Sequence, residues 1–158
     1  MIPVVVELPA GPVRPARQGD AQALFALSRA FVASGELRPR PLAHYRARIG
    51  EFLLAEGAPG EGPAGCVAVR DEGGDGAVLH NFCVEHGSQG RGIGSALLRA
   101  ALDRARRGGA VRLFTATTGP ARLFLRNGFA PVAPERAPAA WAAALDPARG
   151  SRVYELRL

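Results

Sequence analysis

A run of alternating glycines between a strand-like segment and a helix-like segment constrains this chain more than any other feature. Residues 79–84 have strand character, residues 89–94 read Gln-Gly-Arg-Gly-Ile-Gly, and apolar side chains recur at helical spacing from Ile93 onward. Glycine lets the backbone approach a ligand closely, and the N–H groups at a helix N-terminus attract anions. The sequence therefore predicts a phosphate-binding loop between a strand and a helix.

Two common phosphate-binding motifs do not fit this loop. A dinucleotide fingerprint needs Gly-x-Gly-x-x-Gly and an acidic residue about 20 residues later, whereas Gly90, Gly92 and Gly94 alternate and residues 110–118 contain no acid. A P-loop needs a lysine, and all 20 basic residues of this chain are arginine. The remaining pattern, Gln/Arg-x-x-Gly-x-Gly/Ala, resembles the coenzyme A loop of the GNAT acetyltransferase superfamily.

The rest of the chain predicts strands and helices around one mixed sheet. Strands are predicted at 13–16, 52–55, 66–70, 77–84, 111–116, 129–132 and 151–158. Helices are predicted after Asp20 as N-cap and at 41–49, 93–107 and 120–126, with a short helix inside the loop 131–147. Because the chain has 158 residues and no internal repeat, we expect a single domain spanning 1–158.

The resemblance to GNAT acetyltransferases extends over nearly the whole chain. Residues 13–20 resemble the family's first strand and helix, 82–84 the strand that pairs with pantetheine, and 123–129 its late helix and Gly-Phe turn. The resemblance implies an α/β fold with a mixed, mostly antiparallel central sheet, flanked by helices and splayed between its fourth and fifth core strands. It also implies an enzyme that moves an acetyl group from acetyl-coenzyme A directly to a primary amine.

The same resemblance implies a set of cofactor-binding residues. Backbone amides of the glycine loop would hold the pyrophosphate, and main-chain groups of the preceding strand would position the pantetheine arm. The implied set is Phe82, Cys83, Val84, Gln89, Gly90, Arg91, Gly92, Ile93, Gly94 and Ser95. Cys66 and Cys83 lie in apolar segments, which predicts reduced, buried thiols, and strand alternation turns Cys83 away from His80.

The family's usual proton carriers are absent from this chain. Val78 stands at the position of the glutamate base, and Phe124 at the position of the tyrosine acid. Strand alternation places residues 78, 80, 82 and 84 on one face, and histidine is suited to removing an ammonium proton at neutral pH. His80 is therefore the candidate catalytic base. A structural or substrate-contacting His80 is the alternative, and the other candidates for proton transfer are Tyr45, Glu85 and His86.

The acceptor is predicted to be a small amine, an amino acid or an analogue. Residues 113–118, Phe124, Phe129 and 131–138 resemble short amino-acid N-acetyltransferases, including glutamate N-acetyltransferases and arsenic-resistance N-acetyltransferases. That group often has arginine where His80 stands, which argues against glutamate itself. The candidate substrate-binding residues are Arg38, Tyr45 and Thr117, with Arg40, Arg46 and Arg48 as further carboxylate ligands and Thr115 and Thr118 as further hydrogen-bonding groups.

Other functions stay open at this point. A non-catalytic acyl-coenzyme A sensor and an acetyltransferase acting on a protein amine both fit the same motifs. The net charge of +6 is spread along the chain, so no specific nucleic-acid partner is predicted, and no metal ion is predicted. No segment reaches the roughly 20 apolar residues of a membrane span, so we expect a cytoplasmic protein. Residues 1–8 offer an edge strand to a second copy, which makes a homodimer a hypothesis.

Overall fold

The computed structural model describes residues 13–158, so the predicted edge strand at 1–8 lies outside the described residues. The strands are β1 Val13–Pro15, β2 Phe52–Glu56, β3 Pro63–Asp71, β4 Gly76–Val84, β5 Arg112–Thr117, β6 Ala130–Val132 and β7 Arg152–Arg157. The helices are α1 Ala21–Ala33, α2 Leu42–Ala47, α3 Ile93–Arg107, α4 Arg122–Arg126 and α5 Ala139–Ala144. Each predicted strand and helix is present, with ends shifted by no more than a few residues. None of the helices between 13 and 158 has the length and apolar character needed to cross a bilayer.

Asp20 corrects one detail of the predicted first helix. The residue directly precedes α1, but its side chain makes no capping hydrogen bond to that helix. Its carboxylate instead accepts hydrogen bonds from the guanidinium of Arg14, at 2.9 and 3.1 Å, and from the backbone N–H of Arg17, at 2.6 Å. The arginine on β1 therefore outcompetes the helix N-terminus for this carboxylate.

The seven strands form one mixed sheet in the order β1-β2-β3-β4-β5-β7-β6. Every neighbouring pair is antiparallel except β4 and β5, which are parallel. Their pairing covers three positions, ending with Val78 opposite Phe114, and beyond this point the two strands separate. The predicted mixed sheet with a splay between its fourth and fifth strands is confirmed.

Helices cover both faces of the sheet. On one face α3 contributes Leu97 and Leu98 to a core that includes Leu79 of β4 and Leu113 of β5. On the other face α1 and α2 pack over β2, β3 and β4, with Tyr45 buried in that core. A third, smaller cluster lies under α5 and contains Val78, Phe114, Val153, Ala137 and Trp141. Because both faces are covered, the opening between β4 and β5 is the place where backbone and polar side chains face a cleft.

Candidate functional site

The glycine loop has the geometry of an anion-binding site. It connects β4, which ends at Val84, to α3, which begins at Ile93. Gly90 and Gly92 have φ angles of 84° and 78°, in the left-handed region, and a Cβ added at either position would meet no other described atom within 4 Å. The backbone of the loop is therefore open to a close approach by a ligand. A side chain at either position would fill that open space.

The start of α3 supplies the donors. The N–H of Ala96 donates to the carbonyl of Gly92 at 3.0 Å, so the amides that precede Ala96 belong to the first turn, whose N–H groups have no acceptor inside a helix. These N–H groups and the positive end of the helix dipole favour a phosphate group. The residues present therefore fit the pyrophosphate of coenzyme A.

Side chains before the glycines close the loop. The Gln89 amide donates to the carbonyl of Val84 at 3.2 Å. The Glu85 carboxylate accepts hydrogen bonds from the N–H of Gly87 at 2.9 Å and from the hydroxyl of Ser88 at 3.0 Å. The ring of His86 stacks on Phe31 with centroids 5.0 Å apart. Glu85 and His86 thus hold the loop in shape, which favours His80 over them as the proton carrier.

A β-bulge in β4 changes which side chains share a face. His80 lies opposite Ala68 of β3, but Cys83 lies opposite Cys66, so three steps along β4 match two steps along β3. The extra residue occurs beside Asn81, whose φ is 51°. A bulge of this kind shifts the alternation of side chains by one residue.

The bulge overturns two predictions about β4. Residues 78, 80, 82 and 84 do not share one face. Phe82 and Val84 pack with Leu79 in the core under α3. His80 lies opposite Ala68, which belongs to the core on the other face together with Cys83. Cys83 therefore does not alternate away from His80. Simple alternation fails here because the extra residue inverts every side chain that follows it.

Cys66 and Cys83 are free and buried, as the sequence predicted. Their Sγ atoms lie 3.6 Å apart across the β3–β4 pair. The hydrogen bond with Cys66 and burial both raise the pKa of the Cys83 thiol. Cys83 is therefore a neutral packing group at pH 7 and not a nucleophile.

A cleft of about 160 Å³ opens where β4 and β5 separate. Its lining comes from four parts of the chain: 36–44 in the loop after α1 and in α2, Arg70 and 79–81 of β3 and β4, 116–118 at the end of β5, and 141–151 in α5 and the loop before β7. The lining is rich in cations. Four arginines face it, Arg38, Arg40, Arg70 and Arg149, against two acids, Glu36 and Asp146.

Three of these arginines already have partners. Arg38 donates to the carbonyl of Ala144 at 3.0 Å, and Arg149 donates to the carbonyls of Gly35 and Glu36 at 3.0 and 3.2 Å. Arg70 forms an ion pair with Glu72 at 2.6 Å. The contacts of Arg38 and Arg149 join the segment 35–38 to the segment 144–149 beside the cleft, and the ion pair with Glu72 neutralises the charge of Arg70.

Arg40 differs from the other three arginines. No hydrogen bond or ion pair joins it to any residue between 13 and 158. Arg40 is an exposed residue, and the partial burial of its guanidinium, followed by the positive charges of Arg38, Arg48 and Arg70, lowers its pKa. Because a guanidinium stays protonated in proteins, the exposed Arg40 side chain carries a positive charge that is hydrated by water and has no ion-pair partner among residues 13–158. An anionic group in the cleft would supply such a partner.

His80 forms a hydrogen-bonded pair with Glu51. Its Nε2 lies 3.0 Å from Oε1 of Glu51, and the other carboxylate oxygen accepts a hydrogen bond from Arg48 at 3.1 Å. Burial opposes ionisation of Glu51, but the hydrogen bonds and charges of His80 and Arg48 outweigh it and lower the pKa of this carboxyl group. An ionised Glu51 that accepts the Nε2 proton leaves the lone pair on Nδ1 of His80, which is what a general base requires.

The other predicted substrate residues occupy different depths. Arg38 and Thr117 line the cleft, and the Thr117 hydroxyl accepts from the N–H of Gly119 at 3.2 Å. Tyr45 is only 1% exposed and donates its hydroxyl proton to Oδ1 of Asn81 at 3.2 Å. Tyr45 therefore does not line the cleft itself but bonds to Asn81, which does, and its contact with substrate stays a prediction. Thr115 is buried, and its hydroxyl donates a hydrogen bond to the carbonyl of Leu79 at 3.4 Å.

Sequence reasoning missed several residues of the cleft. Glu51 follows α2 in a short 3₁₀ turn and meets His80 only through the tertiary fold. His44, Arg70, Trp141 and Arg149 line the cleft but belong to separate segments without a recognisable motif. The arginines around α2 were the one sequence feature that pointed to the cleft, since Arg40 was among the candidate carboxylate ligands and lines it.

Lowering the pH from 7 to 5 is expected to destabilise the wild-type protein more than a His44→Gln variant. Burial, with the charges of Arg40 and Arg48, lowers the pKa of His44 from 6.5 to about 4. Between these values the unfolded chain binds more protons than the folded chain, so the free energy of unfolding falls as the pH falls. After allowance for solvent screening, we expect His44 to account for a loss of about 1 kcal/mol in the free energy of unfolding between pH 7 and pH 5. Urea unfolding of both proteins at pH 7 and pH 5 measures this loss. An equal loss of unfolding free energy in the wild type and in His44→Gln would contradict the prediction.

The sequence matches a known protein family. Residues 48–131 match the family model of the acetyltransferase (GNAT) domain, which is more than half of the chain. No match is found among curated proteins.

Solved structures with a similar fold are acetyltransferases or bind coenzyme A. N-acetylglutamate synthase from Neisseria gonorrhoeae, in complex with coenzyme A and N-acetyl-glutamate, is 27% identical with a TM-score of 0.86, over 93% of this chain and 35% of that chain. Rv2747 from Mycobacterium tuberculosis, in complex with CoA, is 23% identical with a TM-score of 0.77, over 93% of this chain and 99% of that chain. A GCN5-related N-acetyltransferase from Kribbella flavida is 22% identical with a TM-score of 0.69, over 93% and 97%. This chain spans about a third of the N-acetylglutamate synthase.

Proposed function

This chain belongs to the GNAT acetyltransferase family, and we propose that it moves the acetyl group of acetyl-coenzyme A to the primary amine of a small carboxylate-bearing molecule, an amino acid or an analogue. The observation that carries this proposal is that Arg40, which has no hydrogen-bond or ion-pair partner among residues 13–158, lines the same cleft as His80. A carboxylate on Arg40 would fix the acceptor, and its amine would then face the histidine.

The course of β4 supports the same arrangement. His80 lines the cleft, and the strand continues through Val84 into the glycine loop. A cofactor whose pyrophosphate lies on that loop would extend its pantetheine arm along β4 toward the splay. The acetyl donor and the acceptor would thus meet where β4 and β5 separate.

The chemistry assigned to the protein is positioning and proton removal. An acceptor that enters as an ammonium ion must lose a proton, and Nδ1 of His80 takes it while Glu51 holds the ring through Nε2. The amine nitrogen would then bond to the acetyl carbonyl carbon and lose its second proton to water, and the carbon–sulfur bond would break to release the thiolate of coenzyme A. Phe124, which packs edge-on against Phe82 at 5.7 Å, has no proton to give that thiolate.

The size of the cleft favours a small acceptor. A volume of about 160 Å³ lies below the range of about 300–1,000 Å³ that is common for drug-sized ligands. The N-acetylglutamate synthase of Neisseria gonorrhoeae, solved with an acetylated amino acid, also supports an amino acid as the acceptor. An acceptor of this size would place its carboxylate near the arginines that line the cleft.

Replacing Arg40 with methionine is expected to raise the KM for a carboxylate-bearing acceptor about tenfold, with little change in kcat or in the KM for acetyl-coenzyme A. The change removes the guanidinium but keeps an unbranched apolar side chain, so it deletes a uniform binding contact. Steady-state kinetics on an active amino acid and on its decarboxylated amine measure the effect, and the amine should be insensitive to the change.

Arg46→Met is the matched control, because Arg46 is an exposed arginine on α2 that does not line the cleft. Its kinetic constants should stay within about twofold of the wild type. Equal effects of the two substitutions, or an unchanged KM in Arg40→Met, would remove Arg40 from the acceptor site.

A further inference from the structure

Asn81 has an unusual backbone conformation. It is the one residue other than glycine between 13 and 158 with a positive φ, at 51°. It lies in the bulge where positions 66–68 of β3 face positions 80–83 of β4. Most L-residues disfavour this left-handed region, and asparagine is among the few that accept it.

The Asn81 side chain is held by three partners from three elements. Its Oδ1 accepts the hydroxyl proton of Tyr45 on α2 at 3.2 Å. Its Nδ2 donates to the hydroxyl of Ser28 on α1 at 3.0 Å and to the Sγ of Cys66 on β3 at 3.5 Å. Ser28 and Tyr45 are each only 1% exposed. The bulge is thus tied to both helices on this face of the sheet.

The donors and acceptors of this network allow one orientation of the amide. Ser28 gives its own hydroxyl proton to the carbonyl of Leu24 at 2.8 Å, so only its lone pairs are left for Asn81. A flipped amide would place its oxygen against those lone pairs and its NH₂ against the Tyr45 hydroxyl. A buried network that is satisfied in one way only fixes the backbone that carries it.

The bulge decides what His80 and its neighbours face. His80 lines the cleft and meets Glu51, whereas Phe82 packs in the core under α3. An unbulged β4 would place His80 and Phe82 on the same face. Asn81 itself lines the cleft next to His80.

We propose that Asn81 is a positioning residue: its amide, locked by Ser28, Tyr45 and Cys66, holds the left-handed bulge that directs His80 to Glu51 and to the acceptor. The kinetic part of this inference rests on the proposed function, whereas the orientation of His80 does not. Asn81 takes no part in bond making or proton transfer. Its contribution is to fix the geometry of the base.

Substitutions separate the conformation of Asn81 from its hydrogen bonds. Asn81→Ala opposes the positive φ and removes the amide, whereas Asn81→Gly accepts the φ and removes only the amide. Asn81→Asp keeps the shape but turns the donor toward Ser28 and Cys66 into an acceptor. We expect Ala and Asp to lower kcat about tenfold or more, Gly to have an intermediate effect, and all three to leave the KM for acetyl-coenzyme A within about twofold.

A double-mutant cycle tests whether the network acts through Asn81. Tyr45→Phe removes the donor to Oδ1 and keeps the ring, and it should lower kcat about threefold in the wild-type background. In the Asn81→Gly background it should have no further effect. Equal effects in both backgrounds would show that Tyr45 does not act through Asn81.

The signals of the His80 ring give a readout that does not depend on turnover. In the full chain, assigned by comparison with His80→Gln, these NMR signals should move in Asn81→Ala and Asn81→Asp while those of His86 do not. Unmoved His80 signals together with an unchanged kcat would overturn the proposal. If Asn81→Ala does not fold, the kcat values of Asn81→Gly and Tyr45→Phe test the proposal instead. A wild-type protein without acetyl transfer would refute the proposed function, and the His80 signals would still decide the role of Asn81.

Discussion

Gly92→Val is expected to weaken the binding of acetyl-coenzyme A at least about 100-fold, which corresponds to about 2.7 kcal/mol. Gly92 has a φ of 78°, where a β-branched residue is strained, and the space above it is open for the ligand. Valine would either shift the loop and turn its N–H groups away from the pyrophosphate or fill the space that the pyrophosphate occupies. Isothermal titration calorimetry with acetyl-coenzyme A measures the loss directly.

Gly109→Val is the matched control for this substitution. Gly109 follows the same helix at its other end, has a φ of 89°, and likewise has no other described atom within 4 Å of an added Cβ. The two variants should therefore lose similar stability from backbone strain, about 1–2 kcal/mol. Gly109→Val should bind the cofactor like the wild type. Equal affinities for the two variants would show that the glycine loop does not hold the pyrophosphate.

His80→Ala is expected to lower kcat at pH 7 at least tenfold, and about 100-fold if His80 supplies the full effect of a general base. The affinity for acetyl-coenzyme A should remain nearly unchanged, because the cofactor contacts assigned to the glycine loop do not involve this ring. Steady-state turnover and calorimetry measure the two quantities separately. An unchanged kcat would remove His80 from the mechanism.

Glu51→Gln is a second variant that tests the same pair. Glutamine keeps the size of the side chain but removes the charge that holds the His80 ring through Nε2 at 3.0 Å. We expect a smaller loss of kcat than in His80→Ala, because the base itself is still present. A Glu51→Gln variant with wild-type turnover would show that orientation of the ring by the carboxylate is not needed.

The strongly patterned parts of the chain were predictable from sequence. The 3.6-residue periodicity of α3 and the stop at Gly108 gave its bounds, Ile93–Arg107. The alternating glycines indicated a phosphate loop because two of them need left-handed φ angles. These features are local, so they can be read without knowing which segments meet in the folded chain.

The interior of the acceptor cleft was not predictable in the same way. The pairing of His80 with Glu51 joins residues 29 apart along the chain. The bulge depends on Asn81 meeting Ser28 and Tyr45 from two different helices. Simple alternation along β4 identified His80 as a candidate, but it placed His80 and Phe82 on the same face, whereas the bulge puts them on opposite faces. Contacts of this kind are set by tertiary packing, and local residue preferences do not encode them.

The central claim is that the cleft acetylates a small molecule through its amine and recognises it through its carboxylate. The most direct test incubates the purified full chain with acetyl-coenzyme A and a panel of amino acids, each paired with its decarboxylated amine, and quantifies free thiol and N-acetylated product by mass spectrometry. We predict equal amounts of thiol and product for at least one amino acid or analogue and far less product from its decarboxylated partner. Binding of acetyl-coenzyme A without product from any member of the panel, or product from the amines alone, would contradict the claim.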